Sequence, residues 1–125
     1  MRVIVCGSRR TGIATDRAAL ERAAVANALD ALFPPANRPS LLIHGAAKGV
    51  DTIAGNWAEN VGVPVYAVKA EWSRFGDNAG PMRNAAMLLA RPDFVVAFPG
   101  GDGTANMKDL ARRAGVAVVE LELNI

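Results

Sequence analysis

Phe98-Pro99-Gly100-Gly101-Asp102-Gly103-Thr104 joins an apolar run, residues 93–98, to a stretch with helical character, residues 105–114. Glycines at three of the four positions 100–103 leave the backbone free to adopt φ > 0 and let a ligand approach the main chain closely. The amides of Gly103 and Thr104 then open a helix, where unpaired N–H groups and the positive end of the helix dipole favour an anion. The stretch therefore predicts either a phosphate-binding turn or an ordinary glycine-rich turn between a strand and a helix.

Five short β-rich runs are spaced along the chain, at residues 2–6, 40–44, 64–68, 93–98 and 116–121. Most of them are continuously apolar, as expected for parallel strands that are covered on both faces. Helical patterns lie between them, so strand and helix alternate. This alternation predicts a three-layer, doubly wound α/β fold with a mainly parallel five-stranded sheet, in one domain that occupies residues 1–125.

The helical patterns have recognisable ends. Thr15 or Asp16 is the expected N-cap of the first helix, and Pro34-Pro35 breaks it. Its inward positions are predicted to be Leu20, Ala24, Ala28, Leu29 and Leu32. The second helix ends at Gly62 and buries one face, Val50, Ile53, Ala54, Trp57, Ala58 and Val61. The third begins at Gly80-Pro81; the last has Gly115 as its C-cap and buries Met107, Leu110, Ala111 and Ala114. Residues 69–78 form the longest irregular stretch.

Composition and charge limit the classes of function. The 125 residues carry a formal net charge of +2 and are 51% hydrophobic, which is typical of a water-soluble globular domain. So small a positive balance, without clustered Lys and Arg, argues against a nucleic-acid partner. No apolar stretch is long enough for a signal peptide or a membrane span, which predicts a cytoplasmic protein with no membrane partner. Cys6 is the only cysteine and His44 the only histidine, so neither a disulfide nor a metal site is expected.

Three loops with functional character follow strands. In a doubly wound sheet, ligands bind beyond the carboxyl ends of the strands, near the point where the strand order reverses. The loops are Gly7-Ser8-Arg9-Arg10 after the first strand, residues 44–51 (His-Gly-Ala-Ala-Lys-Gly-Val-Asp) after the second, and residues 99–104 after the fourth. If the strand order is 3-2-1-4-5, the first and third of these loops face each other across one crevice.

Each polar residue of these loops has more than one interpretation. Arg9 is well placed to bind phosphate bidentately, and Ser8 beside it either contacts the ligand or caps a turn. Lys48 either supplies a point charge for phosphate or faces water. Asp51 either caps the second helix, holds a ribose hydroxyl or orients the glycine loop. His44, a lone histidine at a strand end, is expected to be structural.

Two residues outside these loops are further candidates. Trp72, in the long irregular stretch, either stacks on a base or packs over the sheet edge. Arg83, near the start of the third helix, is expected to point back towards the crevice.

Four stretches in this order closely resemble the YspA/YpsA-related branch of the SLOG superfamily, and the resemblance spans nearly the whole chain. They are Gly7-Ser8-Arg9, residues 44–51, Ala79-Gly80-Pro81-Met82-Arg83-Asn84 and residues 99–104. The resemblance implies a Rossmann-like fold, a nucleotide or nucleotide-derived ligand of the AMP or ADP-ribose type, and a homodimer or higher homo-oligomer. No cofactor is expected.

The same superfamily includes the LOG enzymes, phosphoribohydrolases that cleave the N-glycosidic bond of nucleoside monophosphates. Those enzymes carry Pro-Gly-Gly-x-Gly-Thr-x-x-Glu, and the position of that Glu is Met107 in this chain. A thioether neither accepts a proton nor stabilises an oxocarbenium ion as a carboxylate does. Arg83 matches the companion Arg of the LOG enzymes, whereas Asn84 stands in place of a Lys and Gly80 in place of a Met.

The first functional hypothesis is accordingly a nucleotide-binding module, and the second a nucleoside-monophosphate hydrolase that uses Arg83, Asp51 and Asp102. Residues 100–104 also resemble the Gly-Gly-Asp-Gly-Thr signature of NAD kinases, which is followed in those enzymes by a large second domain and here by about twenty residues. A DNA-binding module is a further alternative, by analogy with DNA-processing members of the superfamily. The predicted binding residues are Gly7, Ser8, Arg9, His44, Gly45, Lys48, Gly49, Asp51, Arg83, Asn84, Pro99, Gly100, Gly101, Gly103 and Thr104.

Overall fold

A computed structural model describes residues 1–13 and 15–125. Within these residues the strands are β1 (Arg2–Cys6), β2 (Leu41–His44), β3 (Val65–Ala67), β4 (Phe94–Ala97) and β5 (Ala117–Glu120). The helices are α1 (Ala18–Leu32), α2 (Val50–Val61), α3 (Trp72–Phe75), α4 (Ala79–Leu88) and α5 (Asp102–Arg113), and short 3-10 turns cover Pro35–Asn37 and Gly76–Asn78.

The strands form one parallel sheet in the order β3-β2-β1-β4-β5. Val3 of the central strand pairs with Leu42 on one side and with Phe94 on the other. Because the chain winds outward from β1 in both directions, the loops after β1 and β4 meet where the strand order reverses. The predicted fold class and strand order are confirmed.

Alternate side chains of the strands belong to two separate cores, one on each face of the sheet, as the two-residue repeat of a strand requires. Val3 and Val5 lie on the face covered by α1 and α2, where Val25 and Leu29 are also fully buried. On the other face, α4 and α5 cover a second core that contains Ile4, Cys6, Ile43, Met87, Val95, Ala97, Met107 and Ala111. These two layers of helices place the ends of α2, α4 and α5 around one edge of the sheet.

The start of the first helix differs from the prediction. Neither Thr15 nor Asp16 is its N-cap: α1 begins at Ala18, Arg17 occupies the cap position, and no side chain caps the helix. The Thr15 hydroxyl instead accepts a hydrogen bond from the amide of Arg17 in the turn before the helix. Leu20 was expected to face inward but is 57% exposed. It lies about 140° around the helix from Val25, which is the buried position.

Two later elements also differ from their predicted limits. Residues 69–78 are not wholly irregular, because they contain α3 and the 3-10 turn that follows it. The last helix begins at Asp102, three residues earlier than predicted, and its C-cap is Ala114, which is exposed. Gly115 follows this cap with φ +75°, the left-handed conformation that glycine adopts without strain.

Candidate functional site

A cleft of about 720 Å³ lies at the carboxyl ends of β1 and β4, between the first turns of α2, α4 and α5. Its walls combine the loop after β1, the glycine-rich loop after β4 and one face of α4. The lining residues are Cys6, Gly7, Ser8, Arg9, Arg10, Ala47, Asp51, Trp72, Asp77, Gly80, Pro81, Arg83, Asn84, Met87, Gly101, Asp102, Gly103, Thr104 and Asn106.

Ser8 connects the three loops. Its amide donates to the carbonyl of Pro99, 3.0 Å away, and its own carbonyl accepts a hydrogen bond of the same length from the amide of Val50. Its hydroxyl accepts from the amide of Arg10 at 3.0 Å, so it caps the turn, as one of the two interpretations held. The proton of the hydroxyl is still free to be donated to a ligand.

Gly7, next to Ser8, permits a close approach between elements. A Cβ at this position would lie 2.6 Å from a methyl carbon of Val50, so a side chain here would push α2 away from β1. At Gly49 a side chain would collide with the backbone of Ser8 and Arg9, and the residue also adopts φ +81°. These two glycines are required by packing around the cleft.

The glycine-rich loop after β4 does not use positive φ. The prediction that Gly100, Gly101 and Gly103 need this freedom is wrong, because none of them is among the positive-φ residues and Gly101 has φ −97°. Glycine is required at position 100 for a different reason: a Cβ there would collide with the side chain of Thr104. A Cβ at Gly101 or Gly103 would meet no atom within 4 Å, which leaves the backbone of the loop open to the cleft.

The start of α5 presents unpaired amides in this open region. The first bond of the helix runs from the amide of Ala105 to the carbonyl of Gly101, 3.0 Å away. The amides of Asp102, Gly103 and Thr104 precede it and have no acceptor in the described part of the chain. All three residues line the cleft. Unpaired amides at the positive end of a helix dipole make a site that suits an anion.

Asp51 holds the loop after β2. One oxygen of its carboxylate accepts hydrogen bonds from the amides of Gly45 and Ala47, at 3.1 and 3.2 Å. This is the loop-orienting role among the three interpretations of Asp51. Burial raises the pKa of Asp51, and the amides of Ala47 and Gly45 and the charge of Arg83 act in the opposite direction. The carboxylate also lines the cleft, so it reaches both the loop and the ligand space.

His44 supports the same loop from within the fold. Its Nδ1 accepts a hydrogen bond from the amide of Ala46 at 2.9 Å, and its Nε2 lies where a Cβ on Gly55 of α2 would come within 2.9 Å. Burial is the main cause that lowers the pKa of His44, which keeps the ring neutral. Ala46 itself adopts φ +55°, an uncommon conformation for a residue other than glycine, and His44 and Asp51 together fix the backbone on either side of it.

Arg83 connects α4 to this loop. Its Nη1 donates to the carbonyl of Gly45 at 2.6 Å, and its Nε donates to Oδ1 of Asn84 at 2.8 Å. Within the described residues its Nη2 has no hydrogen-bond partner, and Arg83 lines the cleft. Burial is the main cause that lowers the pKa of Arg83; Asp51 raises it and the nearby charge of Arg9 lowers it. Arg83 points into the crevice, as expected.

Asn84 links α4 to the start of α5 by hydrogen bonds. Its amide nitrogen donates to the carbonyl of Gly103 at 3.1 Å and to Oδ1 of Asn106 at 3.0 Å, while its oxygen accepts from Arg83. The side chain thus positions both the amide-bearing turn and the guanidinium. Asn106 was not among the predicted residues; its place two positions after Thr104, on the same helix end, is the signal that could have found it.

Arg9 and Trp72 form the rim of the cleft. The guanidinium carbon of Arg9 lies 4.8 Å from the centroid of the Trp72 ring, a cation–π contact. A Cβ at Gly80 would lie 3.0 Å from the far edge of the same ring, so Trp72 packs against the first turn of α4. Trp72 is nevertheless 44% exposed and has ring surface available on the cleft side.

The cleft gathers most, but not all, of the predicted binding residues. Gly7, Ser8, Arg9, Asp51, Arg83, Asn84, Gly101, Gly103 and Thr104 line it, as does Asp102. Gly45 and Lys48 instead border an adjoining groove, and Pro99 and Gly100 border a shallow depression on the other side of Ser8. His44 and Gly49 line none of these three cavities. Arg10, Ala47, Asp77, Pro81, Met87 and Cys6 line the cleft without having been predicted.

Two sulfur-containing residues near the cleft are inert. Burial raises the pKa of the Cys6 thiol to about 12, so the thiol stays protonated and is no nucleophile at neutral pH. Met107, at the position of the LOG glutamate, is fully buried in the core beneath α5 and is not one of the described cleft-lining residues.

Among the described residues, no three or more His, Cys, Asp or Glu side chains are grouped so that they could hold a metal ion. In the same part of the chain no helix has the length and apolar character needed to cross a membrane.

Comparisons with known proteins agree with this architecture. A sequence model of the YspA, cpYpsA-related SLOG family matches residues 1–75. The chain is 36% identical over 86 residues to the Gene 61 protein of Mycobacterium phage D29, an alignment that covers 63% of this chain and 69% of that protein. Its fold is similar to the X-ray structure of TM1055, with a TM-score of 0.73 and 20% identity, over 94% of this chain and 71% of that one.

Proposed function

The chain belongs to the YspA, cpYpsA-related SLOG family, and from that premise we propose that it binds a nucleotide or a nucleotide-derived ligand in the cleft at the carboxyl ends of β1, β2 and β4. The ligand is of the AMP or ADP-ribose type. The proposal treats residues 1–125 as one nucleotide-binding domain.

One observation carries this proposal: three consecutive amides at the start of α5, those of Asp102, Gly103 and Thr104, have no acceptor among the described residues and belong to the cleft wall. Amides in this arrangement bind a phosphate group through hydrogen bonds and the helix dipole together. The missing side chains at Gly101 and Gly103 leave room for the phosphate to reach them.

Charged groups opposite these amides complete the proposed site. Arg9 lies on the rim and Arg83 directs its unpaired Nη2 from α4, so both guanidinium groups can bind phosphate or ribose oxygens. The remaining predicted residues support the loops: Asp51, His44 and Asn84 hold the backbone that carries the binding groups.

Hydrolysis of a nucleoside monophosphate is the second candidate, with Arg83, Asp51 and Asp102 as the groups that would act on the substrate. Asp51 and Asp102 both line the cleft, and their position there supports hydrolysis as a candidate function. The carboxylate of Asp51 already accepts two amide hydrogen bonds, however, and Met107 supplies no acid. We therefore propose binding as the primary function and expect adenine release from AMP to be weak or absent.

The proposal is tested with Gly101→Val. Its added methyl groups would occupy the space in front of the α5 amides, so the affinity for AMP or ADP-ribose should fall by about tenfold or more, equivalent to about 1.4 kcal/mol. A Cβ at Gly101 meets no neighbour, but the residue has φ −97° and ψ −144°, which is outside the β region that a β-branched residue prefers, so the unfolding free energy should fall by about 1–3 kcal/mol and leave the fold measurable. Binding is measured by isothermal titration calorimetry and stability by urea unfolding.

Ala105→Val is the matched control, since Ala105 is exposed on the same helix and does not line the cleft among the described residues. It should bind the nucleotide as the parent does. A Gly101→Val variant that is folded and binds as tightly as the parent would show that the loop is only a turn. If the parent released adenine from AMP at about ten per second, a rate typical of an efficient enzyme, its function would be hydrolysis and not binding.

We also propose that the chain self-associates through α4. Met82 and Ala85 lie on its outward face and Leu89 is its C-cap, and Met82 and Leu89 are 46% and 83% exposed. Exposed apolar residues at this helical spacing favour burial against a second copy.

A further inference from the structure

A second groove, of about 460 Å³, adjoins the cleft on the far side of Arg9 and Trp72. The two cavities share four residues, Arg9, Ala47, Trp72 and Arg83, so a ligand could extend from one into the other. Residues 45–48 of the loop after β2 line this groove together with Lys69, and both Lys48 and Lys69 are exposed. We call it the basic groove.

The basic groove has an unbalanced charge. Its described lining contains four cations, Arg9, Lys48, Lys69 and Arg83, and no carboxylate. None of these four takes part in an ion pair among the described residues, whereas Arg38, Arg74, Lys108, Arg112 and Arg113 do. Like charges held close together repel one another, and a bound anion relieves that repulsion.

The cleft itself differs from the groove in this respect. Its lining contains three Arg side chains and three carboxylates, those of Asp51, Asp77 and Asp102, which balance. The α5 amides therefore bind a first anion by hydrogen bonds in a cleft that has no excess of positive charge. Because Arg9 and Arg83 line both cavities and are already balanced in the cleft, the excess is that of Lys48 and Lys69, which line the basic groove alone.

We infer that the basic groove binds a second anionic group of the ligand whose first phosphate lies at the α5 amides. This inference rests on the proposed function and, of its two ligand types, takes the AMP type with a second phosphate added and excludes ADP-ribose, whose two phosphates are adjacent. The ligand is a nucleotide with two separated phosphate groups, such as a nucleoside bisphosphate or a linear dinucleotide, which crosses the Arg9–Trp72 rim. Lys48 and Lys69 recognise the second phosphate as point charges, so they contribute only when that phosphate is present.

The test compares four probes by calorimetry at low salt: AMP, ADP, adenosine 3′,5′-bisphosphate and 5′-phosphorylated diadenylate. ADP carries two adjacent phosphates and controls for charge without separation. We expect at least one of the two separated-phosphate probes to bind the parent about tenfold more tightly than AMP, and ADP to gain less than about threefold.

The decisive variant is Lys48→Ala/Lys69→Ala. It should remove the gain of the separated-phosphate probe and leave the affinity for AMP within about twofold, because the lysines act on the second phosphate alone. The control, Lys108→Ala/Arg113→Ala, removes the same amount of positive charge from the far part of α5 and should keep the gain. Both variants change exposed or partly exposed side chains, and their folding is checked by circular dichroism.

Each other outcome overturns the inference in a recognisable way. If the parent binds AMP but gains nothing from a separated phosphate, or if ADP gains as much, the inference fails and the proposed function stands. If the Lys48→Ala/Lys69→Ala variant still binds the separated-phosphate probe more tightly than AMP by the parent's factor, the second phosphate does not lie in the basic groove. The same follows if its affinity for AMP falls as much as its affinity for that probe. If the parent binds none of the probes, AMP included, the proposed function fails and this inference fails with it.

Discussion

His44 and Asp51 hold the loop after β2 from two sides, and each does so as a hydrogen-bond acceptor. The neutral ring of His44 accepts from Ala46, and the carboxylate of Asp51 accepts from Gly45 and Ala47. Arg83 then binds the carbonyl of Gly45, where any side chain at position 45 would meet the guanidinium at 2.6 Å. Three successive residues of this loop are thus fixed by side chains, which positions the cleft wall and part of the lining of the basic groove.

The neutral state of His44 leads to a pH dependence of stability. Burial lowers the pKa of His44 in the folded protein, whereas in the unfolded chain His44 has the ordinary pKa of 6.5. Near pH 6.5 the unfolded chain therefore takes up a proton that the folded protein does not, and this favours unfolding. The unfolding free energy should therefore fall as the pH drops below about 6.5, by at most about 1.4 kcal/mol per pH unit from this one group.

His44→Asn is the comparison, since an Asn oxygen can accept the Ala46 hydrogen bond and does not titrate. Urea unfolding of both proteins between pH 5 and pH 8 gives the difference in their unfolding free energies at each pH. As the pH falls from 8 to 5, the unfolding free energy of the parent should decrease relative to that of the variant. A difference that stays constant across this range would show that the pKa of His44 is the same in the folded and the unfolded protein.

At single positions the sequence predicted which residues lie near the strand ends but not which way they face. The spacing of Gly7, Ser8 and Arg9 after an apolar run placed them in the cleft. His44 also ends a strand, yet its ring turns towards α2, because the absence of a side chain at Gly55 makes room for it. That room depends on a residue eleven positions later, and no local pattern reveals it.

At the level of elements, α5 has two functions at once. Its first turn presents the amides to the cleft, and its buried face, which includes Met107 and Ala111, packs on the sheet. The residue at position 107 is therefore part of the core in this chain. A carboxylate at this position would lie within the apolar core cluster that contains Ile4, Val95 and Ala111, whose members carry no charge.

Met107→Glu should accordingly destabilise the fold and confer no hydrolysis. Burial of an unpaired carboxylate should lower the unfolding free energy by about 3 kcal/mol or more at pH 7. Met107→Leu, which keeps the apolar volume, should cost less than about 1.5 kcal/mol. Urea unfolding and adenine release from AMP are the measurements. Stable Met107→Glu protein that releases adenine would mean that position 107 reaches the cleft.

Strand limits were predictable because buried parallel strands are continuous apolar runs, and β1 was predicted at its observed bounds. Helix faces were harder to predict. In α1 nearly every position is apolar or small, so composition alone does not say which side is buried, and Leu20 was assigned to the wrong one. Residues 72–75 form only one turn of helix, too short for a periodic pattern to appear.

For the whole molecule, the cleft and the exposed face of α4 lie on different sides of the same helix. Arg83 and Asn84 face the cleft, whereas Met82, Ala85 and Leu89 face outward. Self-association through the outward face would hold α4 in place behind the site.

Leu89→Glu tests this association. A carboxylate at the most exposed apolar position of the face should convert the proposed dimer to a monomer, because an unpaired charge would be desolvated at the contact. Leu20→Glu is the matched control: Leu20 is 57% exposed on α1 and should leave the oligomer intact. Molar mass is measured by light scattering after size-exclusion chromatography. A monomeric parent, or equal effects of both substitutions, would contradict the proposal.

The strand order has a consequence for biosynthesis. β1 is translated first and sits at the centre of the sheet, yet one of its two partners, β4, follows about ninety residues later, since Val3 pairs with Phe94. Until the ribosome reaches that segment, one side of β1 has N–H and C=O groups with no neighbouring strand. At about 5–20 residues per second, the interval between completion of β2 and completion of β4 lasts about 3–10 s. During that time one edge of β1 in the nascent chain is apolar and unpaired. A chaperone bound to that edge would protect the chain more in this interval than at later stages of synthesis.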